Sequence, residues 1–377
     1  MKVAVACGGT GGHVFPGLAT ARELLSRGHD VTLWLTGRIE EQSARRDWDG
    51  PIVQVPAQGF PSGISIKSFQ TCLKLVQAVW RCRSEMRKDR PDVLLAMGSY
   101  ASVGPCGAAR LLGVPIVLHE ANVIPGRAVR LFARAAAAVA AGFEETRYHL
   151  PRAQLKIVGI PLRAELTEEA RNLPPREDAV HAPFRLLVMG GSMGAHRLNE
   201  VVTETLARPQ KSGVKMFVSH LTGQDDEATV RAAYRAAGVE SEVVAFTEYM
   251  APLYHSADLV ICRAGGSTCA ELSFFGVPAL FVPYPSAAMD HQTANAHALE
   301  KRGTADVVAE SNLTPEWLEA YLAQTVRKPE RLARLREAAH REGVKDGTAA
   351  LASLVEVCAR KTLPTPIVGD RGLGAGA

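Results

Sequence analysis

Residues 262–296 read CRAGGSTCAELSFFGVPALFVPYPSAAMDHQTANA, in which a strand pattern, a glycine turn and a helix pattern follow one another. The apolar run that ends at Cys262 is typical of a buried strand, and Gly265 and Gly266 allow the backbone to turn sharply after it. Ser267 or Thr268 is placed to cap the helix that comes next. The stretch therefore predicts a strand–turn–helix unit of an α/β domain.

The start of this helix has the properties of a nucleotide site. Its first backbone N–H groups carry partial positive charge, so they attract phosphate without a side-chain cation. Glu271 is expected in the first turn, where a carboxylate can accept hydrogen bonds from both hydroxyls of a ribose. The alternative is a capping box, in which Glu271 accepts from the backbone N–H of Thr268. Residues 290–296 (DHQTANA) add polar side chains suited to a polyol.

Composition narrows the class of protein. The 377 residues are about twice a typical domain, so we expect two domains with separate cores. The apolar share of 47% and the charged share of 22% are ordinary for a globular protein. Seven scattered cysteines without a C-x-x-C pair argue against a disulfide framework or a zinc site and favour a reducing cytoplasm. A net charge of +4 is too small to indicate nucleic acid as a partner.

We expect no signal peptide and no membrane span. The most apolar run, residues 131–143, is broken by Arg134 and is too short to cross a bilayer. Residues 64–90 mix apolar and basic side chains, which fits either a helix with a solvated basic face or a surface that binds anionic lipid. Any membrane contact is therefore expected to be peripheral.

The chain opens as a Rossmann-like unit. Residues 2–7 predict a strand, GGTGGHVFPG at 8–17 a glycine loop, and residues 18–26 an amphipathic helix, before a second strand at 31–35. The same order suggests a nicotinamide enzyme as an alternative. However, the glycines do not form G-x-G-x-x-G, and no carboxylate for an adenosine ribose follows the second strand. We therefore rank that alternative low.

The opening pattern recurs in the second half of the chain. A strand at 184–189 leads into GGSMGAHRLNEVV at 190–202, after a polar, proline-rich segment at 164–183 that is expected to be a connector. Residues 316–358 are helical by period and composition, and residues 361–377 form a Pro- and Gly-rich tail that we expect to be disordered. Two Rossmann-like domains in tandem are the predicted architecture.

Two further polar segments bear on chemistry. HEANVIPG at 119–126 follows a predicted strand at 115–118, so its side chains are expected at the carboxyl edge of a parallel sheet, where ligands bind. The alternative is that they tie down the loop through local hydrogen bonds. Asp47-Trp48-Asp49 spells the D-x-D pattern of metal-dependent sugar transferases, but the turn-like Gly50–Pro51 that follows favours a solvated loop.

Six motifs together resemble the MurG family of UDP-N-acetylglucosamine:N-acetylmuramyl-(pentapeptide) pyrophosphoryl-undecaprenol N-acetylglucosaminyltransferases. They are, in that family's order, GGTGGHVFPG, HEANVIPG, GGSMGA, FTEYM, RAGGSTCAE and DHQTANA, and the resemblance covers residues 2–357. Each motif alone is a weak signal, whereas all six in order are highly specific. The resemblance implies an α/β GT-B glycosyltransferase fold, with two Rossmann-like domains facing each other across a cleft. It implies an acceptor domain over 1–162, a UDP-sugar domain over 163–342, and a helix near 343–360 that packs back on the first.

The resemblance also implies an activity. It is the inverting transfer of N-acetylglucosamine from UDP to the 4-hydroxyl of the muramyl sugar of lipid I, which forms lipid II at the cytoplasmic face of the bacterial inner membrane. The partners would be UDP-N-acetylglucosamine, lipid I, an anionic membrane surface, and proteins of cell-wall synthesis or division. By motif match, the donor would contact Thr10, Gly11, Gly12, Asn122, Arg163, Ser192, Thr247 through its backbone, Gly266, Ser267, Thr268, Cys269, Ala270, Glu271 and Gln292.

A single displacement needs a base for the acceptor proton and a sink for charge on the leaving UDP. His13 is the candidate base because its ordinary pKa near 6.5 lets it accept a proton at neutral pH, and Glu120 is the reserve. The alternative for His13 is a role in packing or phosphate binding in the glycine loop. Helix N-termini can serve as the sink, so we expect no metal and no cofactor.

The chain departs from the family pattern at three places. Ala121 stands where the family usually has Gln, Ile160 stands where it has Asn, and residues 59–63 lack an expected basic residue. Other functions of the same architecture also stay open. They are transfer to another lipid acceptor such as diacylglycerol or a sterol, a UDP-N-acetylglucosamine 2-epimerase, and a nucleotide-sugar-binding subunit without catalysis.

Overall fold

The computed structural model describes residues 1–37, 41, 45–56, 66–175, 183–191, 194–208 and 215–360, and of residues 66–72 it describes the helical backbone alone. The described chain forms two β-sheets in which every strand pair is parallel. The predictions for residues 59–63, for Ser192 and for the tail at 361–377 lie outside the described residues.

The first half of the chain builds one sheet in the order β3-β2-β1-β4-β5-β6-β7. Its elements, in chain order, are β1 Lys2–Ala6, α1 Gly11–Ser26, β2 Asp30–Leu35, β3 Ile52–Gln54, α2 Ile66–Lys88, β4 Val93–Ala96, a 3₁₀ turn Tyr100–Ser102, α3 Val103–Leu112, β5 Ile116–Glu120, α4 Arg127–Phe132, β6 Ala138–Ala141, a 3₁₀ turn Glu144–His149, β7 Leu155–Ile157 and α5 Ala164–Asn172.

The second half builds a sheet in the order β10-β9-β8-β11-β12-β13. Its elements are β8 Phe184–Met189, α6 His196–Ala207, β9 Met216–Leu221, α7 Glu227–Ala237, β10 Ser241–Val244, α8 Met250–Ser256, β11 Leu259–Cys262, α9 Gly266–Phe275, β12 Ala279–Phe281, a 3₁₀ turn Ala288–Asp290, α10 His291–Lys301, β13 Ala305–Val307, a 3₁₀ turn Glu310–Asn312, α11 Pro315–Val326, α12 Pro329–Glu342 and α13 Thr348–Arg360.

Burial on both faces explains why the central strands read as continuous apolar runs. In β1, Val3 and Val5 belong to the core on one face of the sheet, whereas Ala4 and Ala6 belong to the core on the other. The two sets alternate because successive side chains of a strand point to opposite faces. A strand covered by helices on both sides has no polar face, which is the usual state of parallel sheets.

The strand order places the glycine loops. In each sheet the order reverses next to the first strand, between β1 and β4 in one half and between β8 and β11 in the other. Open α/β sheets bind ligands outside the carboxyl ends of their strands at such a switch point. The loops after β1 and β8 are the two predicted glycine loops, and the loop after β11 leads into the RAGGSTCAE motif.

Several elements differ from the sequence-based expectation. α1 begins at Gly11 rather than at residue 18, because its first N–H groups need no intrahelical partner and glycine is tolerated there. The expected connector contains the helix α5. The single helical region predicted for 316–358 is three helices, since Pro329 starts a new helix and Gly343 ends it. The strand at 184–189 is confirmed with its predicted ends, and the strand at 259–262 ends at Cys262 as predicted.

The last helix returns to the first sheet. α13 packs on α1 and on β4, β5 and β6, where Leu351 and Val355 are buried in the same core as Val3 and Leu24. Polar contacts reinforce this packing at the surface: Arg27 donates to Ser353 Oγ at 2.9 Å.

Two chain segments cross between the sheets side by side. The N–H of Ile160 donates to the Lys345 carbonyl oxygen at 3.0 Å, and the N–H of Gly347 donates to the Ile160 carbonyl oxygen at 3.1 Å. Gly159 has a φ of +89°, and a Cβ added there would lie 2.2 Å from the Lys345 carbonyl oxygen. Glycine is therefore required at residue 159 both for its backbone angle and for space.

We predict that Leu351→Ala lowers the free energy of unfolding by about 2–5 kcal/mol, because it removes a fully buried side chain and leaves a cavity against the first sheet. Urea denaturation measures the change. Val357→Ala is the matched control on the same helix, because Val357 is 49% exposed and its truncation should cost less than about 0.5 kcal/mol. Equal losses for the two variants would contradict the packing of α13 on this core.

Candidate active site

A cavity of about 530 Å³ lies between the two halves, at the carboxyl edges of both sheets. Residues of the first glycine loop, of the crossing segment and of α9 line it together. Of the predicted donor residues, its lining contains Gly11, Gly12, Arg163, Thr247, Ser267 and Glu271. Motifs that are far apart in the sequence thus meet in one space.

The first glycine loop is held from two sides. The carboxylate of Glu41 is buried and accepts hydrogen bonds from the N–H of Gly9 at 2.9 Å and from the N–H of Gly37 at 2.7 Å. On the other side, the Ser99 hydroxyl donates to the Gly8 carbonyl oxygen. These bonds tie the loop to the ends of β2 and β4, next to the switch point.

His13 lies in the first turn of α1, and one nitrogen of its imidazole ring is free to act as a base. Its Nδ1 lies 2.8 Å from the Met97 carbonyl oxygen, and a carbonyl only accepts, so Nδ1 carries the proton and Nε2 keeps a lone pair. Burial lowers the pKa of His13 below its ordinary value of 6.5; the hydrogen bond to Met97 opposes this change, and the nearby His291 adds to it. Thr10 is the N-cap residue of this helix, and its carbonyl oxygen accepts from the His13 N–H at 2.9 Å.

The HEAN motif is an ordered, mostly buried segment, and its first two residues belong to β5. Glu120 Oε1 accepts from the Asn122 backbone N–H at 2.9 Å and from Asn122 Nδ2 at 3.1 Å, while Oε2 accepts from the Gly126 N–H at 2.8 Å. Burial raises the pKa of Glu120 to about 7 in spite of these bonds. These contacts are those expected if the Glu120 carboxylate stabilises the loop at 121–126 through local hydrogen bonds.

Asn122 is joined to the second half of the chain through Asn295. Asn295 Nδ2 donates to Asn122 Oδ1 at 2.9 Å and to the Ala264 carbonyl oxygen at 3.0 Å, and Asn295 Oδ1 accepts from the Val123 N–H at 2.9 Å. Asn295 is fully buried, so these bonds are shielded from water. The DHQTANA and HEAN motifs therefore form one polar contact across the two halves.

The N-terminus of α9 faces the first glycine loop. The helix begins at Gly266 with Gly265 as its N-cap residue, so the expected side-chain cap from Ser267 or Thr268 is wrong. A Cβ added to Gly12 would lie 3.9 Å from Ser267 Oγ, an atom that is buried and has no hydrogen-bond partner among the described residues. Ser267 thus brings a buried hydroxyl without a described partner to the space between the two motifs.

Neighbouring residues of α9 have different surroundings. The side chains of Cys269 and Ala270 are fully buried in the apolar core, whereas Ser267 and Thr268 are partly exposed. Gly266 is tightly confined, because a Cβ there would lie 2.3 Å from the Ala121 carbonyl oxygen. Side-chain contact with a ligand is therefore available only to Ser267 and Thr268 within this group.

Glu271 lies in the second turn of α9 rather than the first, and it does not form the capping box with Thr268. Its Oε2 accepts a hydrogen bond from the Tyr254 hydroxyl at 2.8 Å, and its Oε1 lies 3.6 Å from the guanidinium of Arg163. Arg163 itself lies over the ring of Phe15 at 5.3 Å. Burial raises the pKa of Glu271 above its ordinary value, and Arg163 and Tyr254 oppose that rise.

Two further predicted donor residues belong to the second half of the chain, and of these Thr247 lines the cavity whereas Gln292 does not. Thr247 lines it beside Phe246, and Thr247 Oγ1 accepts from the Tyr249 N–H at 3.1 Å. Gln292 lies at the start of α10, where its Oε1 accepts from the Tyr284 N–H at 3.0 Å. The second glycine loop contributes Gly191, next to Ser192, which the structure does not describe.

Three residues of this site escaped sequence reasoning. Asn295 lies inside the quoted DHQTANA motif and Tyr254 lies outside every quoted motif, and neither position signals its partner. Glu41 lies after β2 and outside every quoted motif, so the sequence does not link it to the glycine loop. Their roles depend on contacts between distant parts of the chain, which local patterns do not record.

Two of the remaining expectations concern a metal site and a membrane span. Among the described residues, no group of three His, Cys, Asp or Glu side chains is placed to hold a metal ion. Asp47 lines the cavity edge, where its carbonyl oxygen accepts from Arg22 at 2.9 Å. Within the same part of the chain, no helix has both the length and the apolar character needed to cross a bilayer.

The two parallel sheets, with glycine loops that face each other across a cleft, define the GT-B fold of glycosyltransferases. Family models agree with this class: the glycosyltransferase family 28 N-terminal domain matches residues 3–141, and the family's C-terminal domain matches residues 185–351. The fold class predicted from the sequence is confirmed.

The relatives narrow the class to one family. A UDP-N-acetylglucosamine--N-acetylmuramyl-(pentapeptide) pyrophosphoryl-undecaprenol N-acetylglucosamine transferase of Geobacter metallireducens is 38% identical over 90% of this chain and 93% of its own length. The protein of the same name from Cupriavidus metallidurans is 41% identical over 85% of this chain and 88% of its own length. The chain belongs to this family, that of MurG.

Solved structures agree with that assignment. The crystal structure of Acinetobacter baumannii MurG superposes with a TM-score of 0.77 at 30% identity, covering 94% of this chain and 99% of that one. A UDP-GlcNAc 2-epimerase from Neisseria meningitidis shares the fold alone, with a TM-score of 0.66 at 14% identity over 96% of this chain and 100% of its own.

Proposed function

We propose that this chain transfers N-acetylglucosamine from UDP-N-acetylglucosamine to the muramyl 4-hydroxyl of lipid I and so forms lipid II, with inversion at the anomeric carbon. The observation that carries the proposal is the meeting of Gly12 and Ser267 across one cavity, because it places a glycine loop of one half opposite the start of α9 in the other. A sugar diphosphate held at the helix start would then present its sugar to an acceptor at the glycine loop.

The test is incubation of the pure protein with labelled UDP-N-acetylglucosamine and a lipid I analogue. We expect label in the lipid product only when the acceptor is present. Conversion of the UDP-sugar without acceptor would instead indicate a 2-epimerase, the activity of a protein that shares the fold. Transfer to diacylglycerol or a sterol, or saturable binding without turnover, would likewise overturn the proposal.

The donor would be held by groups from three places. The N–H groups of Gly266, Ser267 and Thr268 at the start of α9 would bind the diphosphate, and Glu271 would bind the ribose hydroxyls. Cys269, whose N–H donates to the Gly265 carbonyl oxygen at 2.9 Å, and Ala270 would complete the turn that holds these groups. Arg163, the Thr247 backbone and Ser192 would complete the nucleotide site. Thr10, Gly11, Gly12, Asn122 and Gln292 would border the sugar. The polar contacts of Asn122 with Asn295 support a positioning role for Asn122 as well.

His13 would act as the general base. Its Nε2 has the free lone pair, and its lowered pKa keeps the imidazole neutral at pH 7. Glu120 stays the reserve, although its hydrogen bonds to Asn122 and Gly126 favour the role of holding the loop. The partial positive charge at the start of α9 would stabilise the leaving UDP.

We predict that His13→Ala lowers kcat by about 10²- to 10⁴-fold while the donor KM changes little, since a general base contributes to the chemical step. The wild-type rate should fall as pH drops through the pKa of His13, below 6.5, because the imidazole must be neutral to accept a proton. Steady-state kinetics from pH 5 to 8 measure both effects. A variant with normal kcat and a raised donor KM would instead assign His13 to phosphate binding.

We also propose that the protein works at the cytoplasmic face of the inner membrane as a peripheral protein. On α2, Leu73, Val76 and Trp80 are 49%, 54% and 57% exposed, and their spacing places them on one helix face. Lys74 and Arg81 are exposed beside them. Apolar side chains flanked by basic ones suit the interface of an anionic bilayer.

We predict that Lys74→Glu combined with Arg81→Glu weakens binding to vesicles of phosphatidylglycerol and phosphatidylcholine by about tenfold or more, since each basic residue near such a surface contributes about 1 kcal/mol. Sedimentation with the vesicles at low and high salt measures this. Arg327→Glu with Lys328→Glu makes the same charge change on an exposed site of the second half and should leave binding unchanged. Equal loss in both variants would mean that only net charge matters.

The domain organisation is proposed on the same basis. We place the acceptor and membrane-facing domain at 1–162 and the UDP-sugar domain at 163–342, with residues 343–360 returning to the first. The packing of α13 on α1 supports this division. Proteins of cell-wall synthesis or division are proposed partners on the family relationship alone.

A further inference from the structure

The hydroxyl of Tyr254 has one strong acceptor, the carboxylate of Glu271. Tyr254 is fully buried, and its hydroxyl donates to Glu271 Oε2 at 2.8 Å. The other neighbour of the hydroxyl is the sulfur of Met189 at 3.7 Å, which is a weak acceptor. A phenylalanine would fill the same apolar space, so the specific contribution of the hydroxyl is its hydrogen bond to Glu271.

The Glu271 carboxylate therefore lies between two groups, the Tyr254 hydroxyl and the Arg163 guanidinium. Tyr254, on α8, fixes Oε2 from the core side, whereas Arg163, on the crossing segment, lies 3.6 Å from Oε1. Both residues line the cavity together with Glu271. A carboxylate with one oxygen fixed in this way presents a single orientation to a ligand and loses little rotational freedom on binding.

We propose that Tyr254 is a positioning residue that orients the Glu271 carboxylate toward the ribose hydroxyls of the donor, an inference that rests on the proposed ribose-binding role of Glu271. Tyr254 need not touch the donor itself. Its hydroxyl also favours the ionised carboxylate, which accepts hydrogen bonds more strongly than a carboxylic acid does.

The charge on Glu271 gives a second readout. Burial raises the pKa of this carboxyl, and the two groups that oppose the rise are Arg163 and the Tyr254 hydroxyl. Removing the hydroxyl should therefore raise the pKa of Glu271 further. The donor KM would then begin to increase at a higher pH on acidification than it does in the wild type.

The experiment compares donor KM and kcat for Tyr254→Phe, Glu271→Gln and the double variant. We expect Tyr254→Phe to raise the donor KM about three- to tenfold with kcat nearly unchanged, since a neutral-to-charged hydrogen bond is lost. In the Glu271→Gln background the same change should alter KM by less than about twofold, because the oriented carboxylate is already gone. Tyr254→Phe should also discriminate less against a donor whose ribose lacks the 2′-hydroxyl.

Tyr234→Phe is the matched control. Tyr234 is another fully buried tyrosine of the second half, and its hydroxyl lies 3.0 Å from His220 Nδ1, in a core that does not line the cavity. Its loss should lower thermal stability while the donor KM and its pH dependence stay as in the wild type. An equal rise in KM for the Tyr234 variant would assign the effect to general loosening of the domain.

The possible failures are distinguishable. If Glu271→Gln leaves the donor KM unchanged, the ribose-binding role itself is wrong. If Glu271→Gln raises KM at least tenfold while Tyr254→Phe changes neither KM nor its pH dependence, the ribose role stands and the positioning role of Tyr254 is wrong. Calorimetric titration with UDP gives the same comparison without turnover.

Discussion

The contact between Gly266 and Ala121 sets how closely the two halves of this chain approach. With no side chain at residue 266, the first turn of α9 lies directly against the HEAN segment, and any Cβ there would collide with a carbonyl oxygen. The hydrogen bond from Asn295 to Asn122 also fixes the relative orientation of the two segments, because a hydrogen bond needs a defined geometry. As a result, a helix start from one sheet and a glycine loop from the other border the same cavity.

The junction also contains the two residues, Ala121 and Ile160, at which the sequence was expected to depart from the family's pattern. Ala121 and Ile160 both belong to the apolar core that joins the halves, and Ile160 is fully buried. Ile160 packs so closely on Gly142 that a Cβ there would lie 2.5 Å from Ile160 Cγ1. The apolar side chains at these positions therefore pack the junction.

Much of the fold could be predicted from the sequence because its signals are local. The apolar runs at 184–189 and 259–262 are long enough to define strands, and paired glycines mark the loops after β1 and β8. Strands of three residues, such as β12 and β13, carry too short a pattern to be predicted. The site was predicted as a set of motifs, and the structure brings most of them to one cavity.

The details that escaped prediction are partnerships between distant residues. Thr268 and Glu271 have the spacing of a capping box, yet Glu271 bonds to Tyr254, which approaches from another helix. The capping-box rule fails here because the helix begins earlier, at Gly266. The Glu271 carboxylate therefore lies in the second turn rather than the first. The buried Asn295 and Glu41 are similar cases, since a polar side chain in the interior must find partners wherever the fold provides them.

The return of α13 to the first sheet has a consequence for biosynthesis. Leu351 and Val355 complete a core whose other members, such as Val3 and Leu24, are synthesised more than 300 residues earlier. Domains generally fold in the order in which they leave the ribosome, but this one lacks a helix until the whole second half has been synthesised. A nascent chain must therefore keep an apolar surface of its first half uncovered throughout that interval, and it offers chaperones a binding surface that the finished protein lacks.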